Sequence, residues 1–495
     1  MASLAERLYS ALSEDGVISN SKWSRTAIGV AVILLASIPL ALQLDPAGRV
    51  SLLAGERSIN RMLSDIAIFG LLVVGSGLVL RWHEPKTYRS PRILLLLALL
   101  VLSTVTIMQA ITLWFPEIAV FILPIPVAAM LATLLVSARS GLLMCVASVC
   151  LAALIGIAEG TALVGILVWS LFGVGAASLM TQRHALFKSA GMLSAAGLGA
   201  ALLQALSTGA PLTAGIISAG HGIIGGVLTV VLGYGSRPFL EKAFGITTDV
   251  SLMEMTDPAH PLLRELALKA PGTYSHSMMT GNLAETAAQK IGARPLLARA
   301  GAYYHDVGKI KRPDFFVENQ TSGLNPHESR LPSLSALIIT AHVREGVELA
   351  RAHRLPYEVI DIIQQHHGTS LVTYFYNKAT EGDAPVLEAD FRYDGHLPRS
   401  REAALVMLAD CAEAVAKTVK KPTSARIEAA VRRVIEVKMA DGQLIDSQLT
   451  LADIEAVVQV YSKMLSSAYH SRNEYYEPRA VRLEHADKSI EPSRT

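Results

Sequence analysis

Long apolar runs dominate the chain from Thr26 to Tyr234, whereas charged residues and histidines become frequent from Ser236 onward. A helix that crosses a bilayer needs about 20 predominantly apolar residues. Eight runs approach this length, separated by short polar or Gly- and Pro-containing breaks: 26–43, 63–81, 93–113, 117–136, 140–157, 161–180, 189–206 and 214–234. The pattern predicts a transmembrane bundle of about eight helices over 26–235, preceded by a polar cytoplasmic leader at 1–25.

Lys and Arg are concentrated in alternate connections between these runs, as is typical of loops on the cytoplasmic side. Three connections on the other side, around Pro116, Glu159 and Pro211, contain neither residue. The connection from Leu44 to Arg61 is an exception, since it carries three arginines. An even number of spans returns the chain to the side on which it began. We therefore expect the N-terminus and the polar half to lie in the cytoplasm.

Small residues are frequent in the last two spans, in the segments GMLSAAGLGAALL and AGHGIIGGVLTVVLGYG. Such residues allow helix backbones to approach closely in a membrane. The composition thus predicts tight packing between these two helices.

The polar half has the apolar periodicity of helices, with apolar residues at i, i+3, i+4 and i+7 in successive segments between Pro261 and Ser466. The stretch from Glu381 to Pro398 interrupts this periodicity and is typical of a loop or short hairpin. The whole chain is therefore expected to be all-α, with a linker at 236–258, an all-helical domain at 259–470 and a mobile charged tail at 471–495.

Composition supports a membrane protein and restricts its partners. The mean hydropathy is +0.38, with 51% hydrophobic and 17% charged residues, which is too apolar for an ordinary soluble chain. A net charge of +2 gives no reason to expect binding to a nucleic-acid polymer. The polar half has no Walker loop, GxSxG elbow or Rossmann glycine motif, which disfavours kinases, serine hydrolases and dehydrogenases.

Histidine and aspartate residues recur in the predicted helices of the polar half. Imidazole and carboxylate are ligands of Fe, Mn and Zn, and one carboxylate can bridge two ions. An adjacent pair at a helix end can reach two different ions, because neighbouring side chains point about 100° apart. The candidate metal ligands are His276, His305, Asp306, His342, His366, His367 and Asp410.

The string YYHDVGK resembles the signature of the HD phosphohydrolase superfamily. Further strings narrow the resemblance to the seven-transmembrane HD family of cyclic di-AMP phosphodiesterases: HSMMTGNLAE, AGAYYHDVGKIKRPDFFVENQ, AHVREGVELA, IIQQHHGTSLVTYFY and EAALVMLADCAEA. The resemblance covers 240–470 closely and the preceding bundle in general plan. It implies a metal-dependent enzyme in the inner membrane of a bacterium, with a cytoplasmic HD domain that cleaves cyclic di-AMP to pApA, or further to AMP.

The resemblance also implies a division of the ligands between two divalent ions, Fe or Mn. His276, His305 and Asp410 would hold one ion, His342, His366 and His367 the other, and Asp306 would bridge them. The ions would activate a water for attack on the phosphodiester. The family's large extracellular domain would be missing, because only Leu44 to Arg61 join the first two spans.

Four residues are candidates for contact with the substrate. Lys309, one turn beyond His305, would bind a phosphate oxygen. Arg344 could do the same or pair with Glu348 at i, i+4. Thr369 offers a hydroxyl group, and Tyr374 could stack on a base or belong to the core.

The identity of the substrate depends on the resemblance alone. The absence of a Gly-Tyr-Pro string after His366 and His367 favours adenine over guanine, because the cyclic di-GMP branch is named for that string. Two other readings stay open: hydrolysis of another nucleotide such as cyclic di-GMP, and a membrane receptor whose HD domain only binds. The sequence also leaves a homodimer open.

Overall fold

The structure is a computed structural model that divides into two compact units, Met1–Val250 and Ser251–Thr495. It describes residues 27–32, 35, 42–44, 50–52, 59–114, 120–179, 184–320, 325–381 and 385–470. The predicted leader at 1–25, the predicted tail at 471–495 and much of the predicted span at 26–43 lie outside these residues. Within that span, residues 27–32 are helical.

The first unit is a bundle of mostly apolar helices. They are α1 Ile59–His83, α2 Pro85–Arg89, α3 Pro91–Trp114, α4 Pro126–Leu135, α5 Ala138–Ile155, α6 Thr161–Ser178, α7 Ala185–Ser207 and α8 Leu212–Phe244. Six described segments are long and apolar enough to cross a membrane: Leu63–His83, Pro91–Ile111, Ala138–Ile155, Thr161–Ser178, Ala185–Ser207 and Leu212–Phe244. The prediction of a multi-span bundle is confirmed.

The predicted span at 117–136 is not one continuous helix. A 3₁₀ turn at Val120–Ile122 precedes α4, which has only 10 residues. Pro124 lies between the two elements and Pro126 is the first residue of α4, and neither can donate a backbone hydrogen bond. This interrupted segment, Val120–Leu135, is apolar but shorter than the six candidate spans.

The last helix of the bundle, α8, is longer than the predicted span at 214–234. It continues through Pro238 to Phe244 and ends at Gly245, whose φ of 62° lies in the left-handed region. Glycine adopts this conformation without steric cost, so it terminates helices well. The first part of the predicted linker at 236–258 is therefore helical.

Helices α7 and α8 pack with their backbones in close contact, as the small residues predicted. A Cβ atom on Gly222 would lie 2.4 Å from the carbonyl carbon of Gly197, and one on Gly226 would lie 2.4 Å from the backbone nitrogen of Ser194. Trp169 of α6 is fully buried beside them and donates from Nε1 to the carbonyl oxygen of Leu193 at 2.9 Å. The prediction of tight packing between the last two spans is confirmed.

Two three-residue strands were not predicted, and the first begins inside the predicted span at 26–43. Leu42–Leu44 and Val50–Leu52 pair antiparallel, with Gln43 opposite Ser51. The intervening sequence DPAGR contains Pro and Gly, which are frequent in turns between strands. Short apolar runs do not by themselves distinguish a strand from the end of a helix.

The second unit is built from helices around one apolar core. They are α9 Asp249–Met255, which begins at the boundary, α10 Pro261–Lys269, α11 Pro271–Ile291, α12 Pro295–Tyr304, α13 Pro332–Ala352, α14 Tyr357–Gln365, α15 Thr373–Thr380, α16 Arg401–Thr418, α17 Ser424–Ala440 and α18 Leu451–His470. The core includes Leu266, Leu283, Ile363, Leu408 and Tyr461, each fully buried. The predicted all-α fold class is confirmed.

Local sequence sets the ends of the helices that carry the candidate ligands. Helices α11, α12 and α13 each begin with proline, whose fixed φ suits the first helical position. Helix α11 ends at Gly292, which has a φ of 69°. The side chain of Ser400 caps α16 by accepting from the backbone of Ala403 at 3.1 Å.

Candidate metal centre

Five helices of the second unit bring the seven candidate ligands together. His276 lies on α11, His342 on α13 and Asp410 on α16. The His305–Asp306 pair follows directly after α12, and the His366–His367 pair follows directly after α14. Because each pair stands where its helix ends, its two side chains can point in different directions.

Asp306 lies at the centre of this cluster and is almost fully buried, with 1% of its surface exposed. Its Oδ2 atom faces Nε2 of His305 at 3.2 Å and Nε2 of His276 at 3.7 Å. Its Oδ1 atom faces Nε2 of His342 at 3.2 Å and Nε2 of His366 at 3.8 Å. The two oxygens of one carboxylate therefore face two different groups of histidines.

Asp410 and His367 complete the cluster. Asp410 Oδ1 lies 3.1 Å from His276 Nε2 and 3.9 Å from His305 Nε2, whereas Asp410 Oδ2 lies 3.8 Å from His367 Nδ1. Within each of two sets of residues, the potential ligand atoms lie within 4.8 Å of one another. The first set is Asp306, His342, His366 and His367, and the second is His276, His305 and Asp306, so that Asp306 belongs to both.

Hydrogen bonds at Nδ1 orient four of the histidine rings toward the centre. Three of these nitrogens bond a backbone carbonyl oxygen three residues earlier: His305 to Ala302 at 2.7 Å, His342 to Ile339 at 2.5 Å, and His366 to Ile363 at 2.7 Å. The fourth, on His276, bonds Glu413 Oε2 at 2.8 Å. A donor role for Nδ1 leaves the lone pair of Nε2 for a metal, as is usual in metal sites.

Lys309 neutralises part of the negative charge at the centre. Its Nζ atom lies 2.7 Å from Asp306 Oδ2 and 2.8 Å from Glu318 Oε1. Glu318 also accepts from Thr273 Oγ1 at 3.0 Å, at the start of α11. The ammonium group is therefore held between two carboxylates, with only 13% of the side chain exposed.

The environment shifts the pKa values of these groups. Burial disfavours the charged form of Asp306, but His305 and Lys309 outweigh it and hold the pKa of Asp306 well below its usual range. Burial and the neighbouring His305 lower the pKa of His366 to about 3. Burial also opposes the charge on His276, yet hydrogen bonds to Asp410 and Glu413 raise its pKa to about 10. A cation bound at His276 would have to displace its proton.

The residues fit a divalent metal centre. Among the described residues, His305 Nε2 and Asp306 Oδ1 are buried polar atoms that make no hydrogen bond. Buried polar atoms normally have partners, and a bound ion is one explanation when they do not. Imidazole nitrogens and carboxylates suit Fe, Mn and Zn. The cluster could thus bind a metal ion.

The other candidates for substrate contact are arranged differently. Arg344 is exposed, and within the described part of the chain it forms no ion pair with Glu348. Thr369 follows His367 by two residues, but its Oγ1 accepts from Gln443 Nε2 at 3.0 Å. Tyr374 is 66% exposed on α15. Only Lys309 of these four contacts the seven-residue cluster directly.

Three residues next to the cluster were not anticipated from the sequence. Glu413 lies three residues after Asp410 on α16, so helical spacing placed it on the same face. Glu318 follows the His-Asp motif closely, in the 3₁₀ segment Val317–Asn319. Tyr393 stacks on His367, with ring centroids 4.2 Å apart. It lies in a loop that has no periodicity to indicate its position.

Comparisons with known proteins match both units. Residues 61–248 match the family described as "7TM receptor with intracellular HD hydrolase", and residues 273–415 match the HD domain family. The chain is 44% identical over 256 residues to the cyclic-di-AMP phosphodiesterase PgpH of Bacillus subtilis, a match that covers 52% of this chain and 36% of the relative. It is 42% identical over 260 residues to the protein of the same name from Listeria monocytogenes, a match that again covers 52% of this chain and 36% of the relative.

A solved structure is similar to part of the chain. The crystal structure of the L. monocytogenes PgpH HD domain in complex with cyclic-di-AMP is 43% identical, with a TM-score of 0.42. The similarity covers 43% of this chain and 100% of that chain. The present chain spans little more than a third of the length of the two curated relatives. The chain therefore contains a membrane region similar to that of 7TM receptors with an intracellular HD hydrolase, followed by a region that matches the HD domain family.

Proposed function

We propose that this protein is a multi-pass membrane phosphodiesterase that hydrolyses cyclic di-AMP to pApA. Its HD domain would lie in the cytoplasm and use two divalent ions, Fe or Mn. The proposal is supported by 44% identity over 256 residues to a curated cyclic-di-AMP phosphodiesterase. The membrane would be the inner membrane of a bacterial cell.

The observation that carries the proposal is the arrangement around Asp306. Its two carboxylate oxygens face histidines of two different groups, which is the arrangement that a bridging ligand requires. His276, His305 and Asp410 would hold the first ion, and His342, His366 and His367 would hold the second. When bound, such ions supply a water of lowered pKa and positive charge near the scissile phosphate.

The remaining residues of the site would hold charge and substrate in place. Glu413 keeps the ring of His276 oriented through the hydrogen bond at 2.8 Å. Lys309, with its ammonium 2.7 Å from Asp306, would donate a hydrogen bond to a phosphate oxygen of the substrate as a third anionic partner. Arg344 is exposed and would offer a second positive charge to the dinucleotide. Thr369 and Tyr374 would contact the sugar and a base.

The test uses the full chain purified in detergent and loaded with Fe(II) without oxygen or with Mn(II). Cyclic di-AMP and cyclic di-GMP are supplied separately, and products are separated by chromatography. We expect consumption of cyclic di-AMP with release of pApA. Asp306→Asn should lower the rate by at least about 10³-fold, equivalent to about 4 kcal/mol of transition-state stabilisation.

The matched control is Asp314→Asn, which removes an exposed carboxylate eight residues away and should leave the rate unchanged. Equal or faster consumption of cyclic di-GMP would contradict the proposed substrate. Turnover of neither dinucleotide by a preparation that contains two ions per chain would favour a receptor whose HD domain only binds.

A further inference from the structure

His367 differs from the other histidines of the cluster in how its ring is held. The rings of His276, His305, His342 and His366 each have a hydrogen bond at Nδ1. Among the described residues, the ring of His367 makes no hydrogen bond, and its nearest carboxylate oxygen, on Asp410, is 3.8 Å from Nδ1. Its side chain is also the most exposed of the five, at 18%. Another contact must therefore fix its orientation.

The adjacent ring of His366, with its centroid 4.1 Å away, is itself a candidate ligand. The ring of Tyr393 provides a contact from outside the cluster. It lies over the imidazole of His367 with ring centroids 4.2 Å apart and an angle of 31° between the planes. It also meets His342 edge-on, with centroids 6.0 Å apart and an angle of 85°. Offset-stacked and edge-to-face arrangements are the favourable geometries for such rings. One aromatic side chain thus contacts two histidines of the same group.

The backbone around Tyr393 is fastened to the segment that follows His367. The backbone nitrogen of Tyr393 donates to the carbonyl oxygen of Ser370 at 3.0 Å, and that of Val372 donates to Phe391 at 2.8 Å. These bonds flank a β-bridge between Leu371 and Arg392. The segment that carries Tyr393 is therefore paired with the segment that follows His367.

Side-chain contacts strengthen this attachment. Arg392 donates to the carbonyl oxygen of Thr369 at 2.8 Å and to Asp441 Oδ1 at 2.9 Å. A Cβ atom on Gly395 would lie only 2.5 Å from the carbonyl oxygen of Gly368, so the chain passes very close there. The position of Tyr393 is thus fixed by contacts of its own segment and does not depend on the ring of His367.

From these contacts we infer that Tyr393 is a positioning residue that orients His367 for the second metal ion by ring stacking, in place of the hydrogen bond that orients the other histidines. The inference rests on the proposed two-metal function. Because stacking needs an aromatic ring and not a hydroxyl group, Tyr393→Phe should preserve the effect and Tyr393→Leu should remove it. Outer residues that orient metal ligands commonly contribute 10- to 100-fold to metal affinity.

The experiment measures metal binding by the full chain in detergent. Mn(II) is titrated into metal-free wild type, Tyr393→Phe and Tyr393→Leu, and the bound ions per chain are counted by elemental analysis after equilibrium dialysis. We expect Tyr393→Leu to bind its second ion about 10- to 100-fold more weakly than wild type, and Tyr393→Phe to stay within about twofold. The electron paramagnetic resonance spectrum should change from that of a coupled Mn(II) pair to that of an isolated ion in the leucine variant only.

The matched control is Tyr376→Leu. It removes another tyrosine, whose ring packs against that of Phe391 with centroids 5.8 Å apart. It should lower the unfolding temperature but leave both affinities unchanged. The inference is wrong if Tyr393→Leu binds two ions as tightly as wild type, or if Tyr393→Phe loses as much affinity as Tyr393→Leu. An equal loss of metal affinity in Tyr376→Leu would also contradict the inference, because general loosening of the structure around Phe391 would then be enough to weaken metal binding. Fewer than two ions in the wild type would instead contradict the proposed function, and the inference would fall with it.

Discussion

The two units of this chain differ in how much of their apolar surface is buried within the protein. In the candidate spans, no more than 44% of each most apolar stretch is buried within the protein, and leucines such as Leu203 and Leu206 are 68% and 78% exposed. In the second unit, leucines such as Leu262, Leu283 and Leu408 are fully buried. The same side chain therefore faces lipid in one unit and forms the core of the other.

This difference changes what holds each unit together. Lipid tails are as apolar as leucine, so the bundle gains little from burying leucine and depends on close contact between small residues. The second unit faces water, where burial of apolar surface is the main stabilising term. It also buries a charged cluster, which is tolerated because each charge has a partner. Substitutions of the same kind should consequently have different effects in the two units.

The largest effect is expected where two backbones touch. Gly222→Leu adds a side chain to a position where even a Cβ atom would lie 2.4 Å from the carbonyl carbon of Gly197. Because backbone cannot move aside as a side chain can, we expect α7 and α8 to separate and the bundle to lose its cooperative unfolding transition. All four tryptophans precede residue 250, so tryptophan fluorescence of the full chain reports on this unit.

The control for this substitution is Gly220→Leu on the same helix, where an added Cβ atom would meet nothing within 4 Å. It should leave the fluorescence transition in place. A normal transition in Gly222→Leu would show that the helices can repack without this contact. Close backbone contact would then not be what stabilises the bundle.

Hydropathy predicted the approximate limits of most of the six described candidate spans, because it depends only on composition over a long window. It did not predict the break between Val120–Ile122 and α4, since Pro124 and Pro126 act through the backbone and barely change the average. It also placed the end of the last span before Pro238, although the helix continues to Phe244. Local backbone chemistry therefore accounts for the errors in this unit.

In the second unit, motifs indicated the residues that meet and missed the residues that support them. The His-Asp and His-His pairs were recognisable as short strings, and the structure brings them together. Tyr393 could not be found in this way, because its contact with His367 depends on the pairing of two segments about twenty residues apart. Glu413 was within reach of helical periodicity, since it follows Asp410 by three residues on α16.

An intermediate effect is expected from removing one leucine in each unit. Leu408→Ala leaves a cavity in the second unit and should lower its free energy of unfolding by about 3 to 5 kcal/mol. Leu203→Ala removes a side chain that is 68% exposed on α7 and should change the stability of the bundle by less than about 0.5 kcal/mol, because lipid replaces the lost contacts. Denaturant titration in detergent, followed by circular dichroism and tryptophan fluorescence, measures both. Similar losses in the two variants would contradict the proposed difference in driving force.

The smallest effect is expected from removing a side chain that caps a helix, a feature that occurs in both units. Ser400 caps α16 and Ser137 caps α5, and each accepts a hydrogen bond from the backbone nitrogen three residues later at 3.1 Å. Ser400→Ala should cost about 1 kcal/mol and Ser400→Gly only a few tenths, since water can reach the freed backbone when no side chain covers it. Ser137 additionally donates to Glu84 at 2.5 Å, so Ser137→Ala also removes a hydrogen bond to a charged group and should cost more than Ser400→Ala. The midpoint of thermal unfolding in each unit is the measurement. Equal losses would mean that the contact between Ser137 and Glu84 contributes nothing to the stability of the bundle.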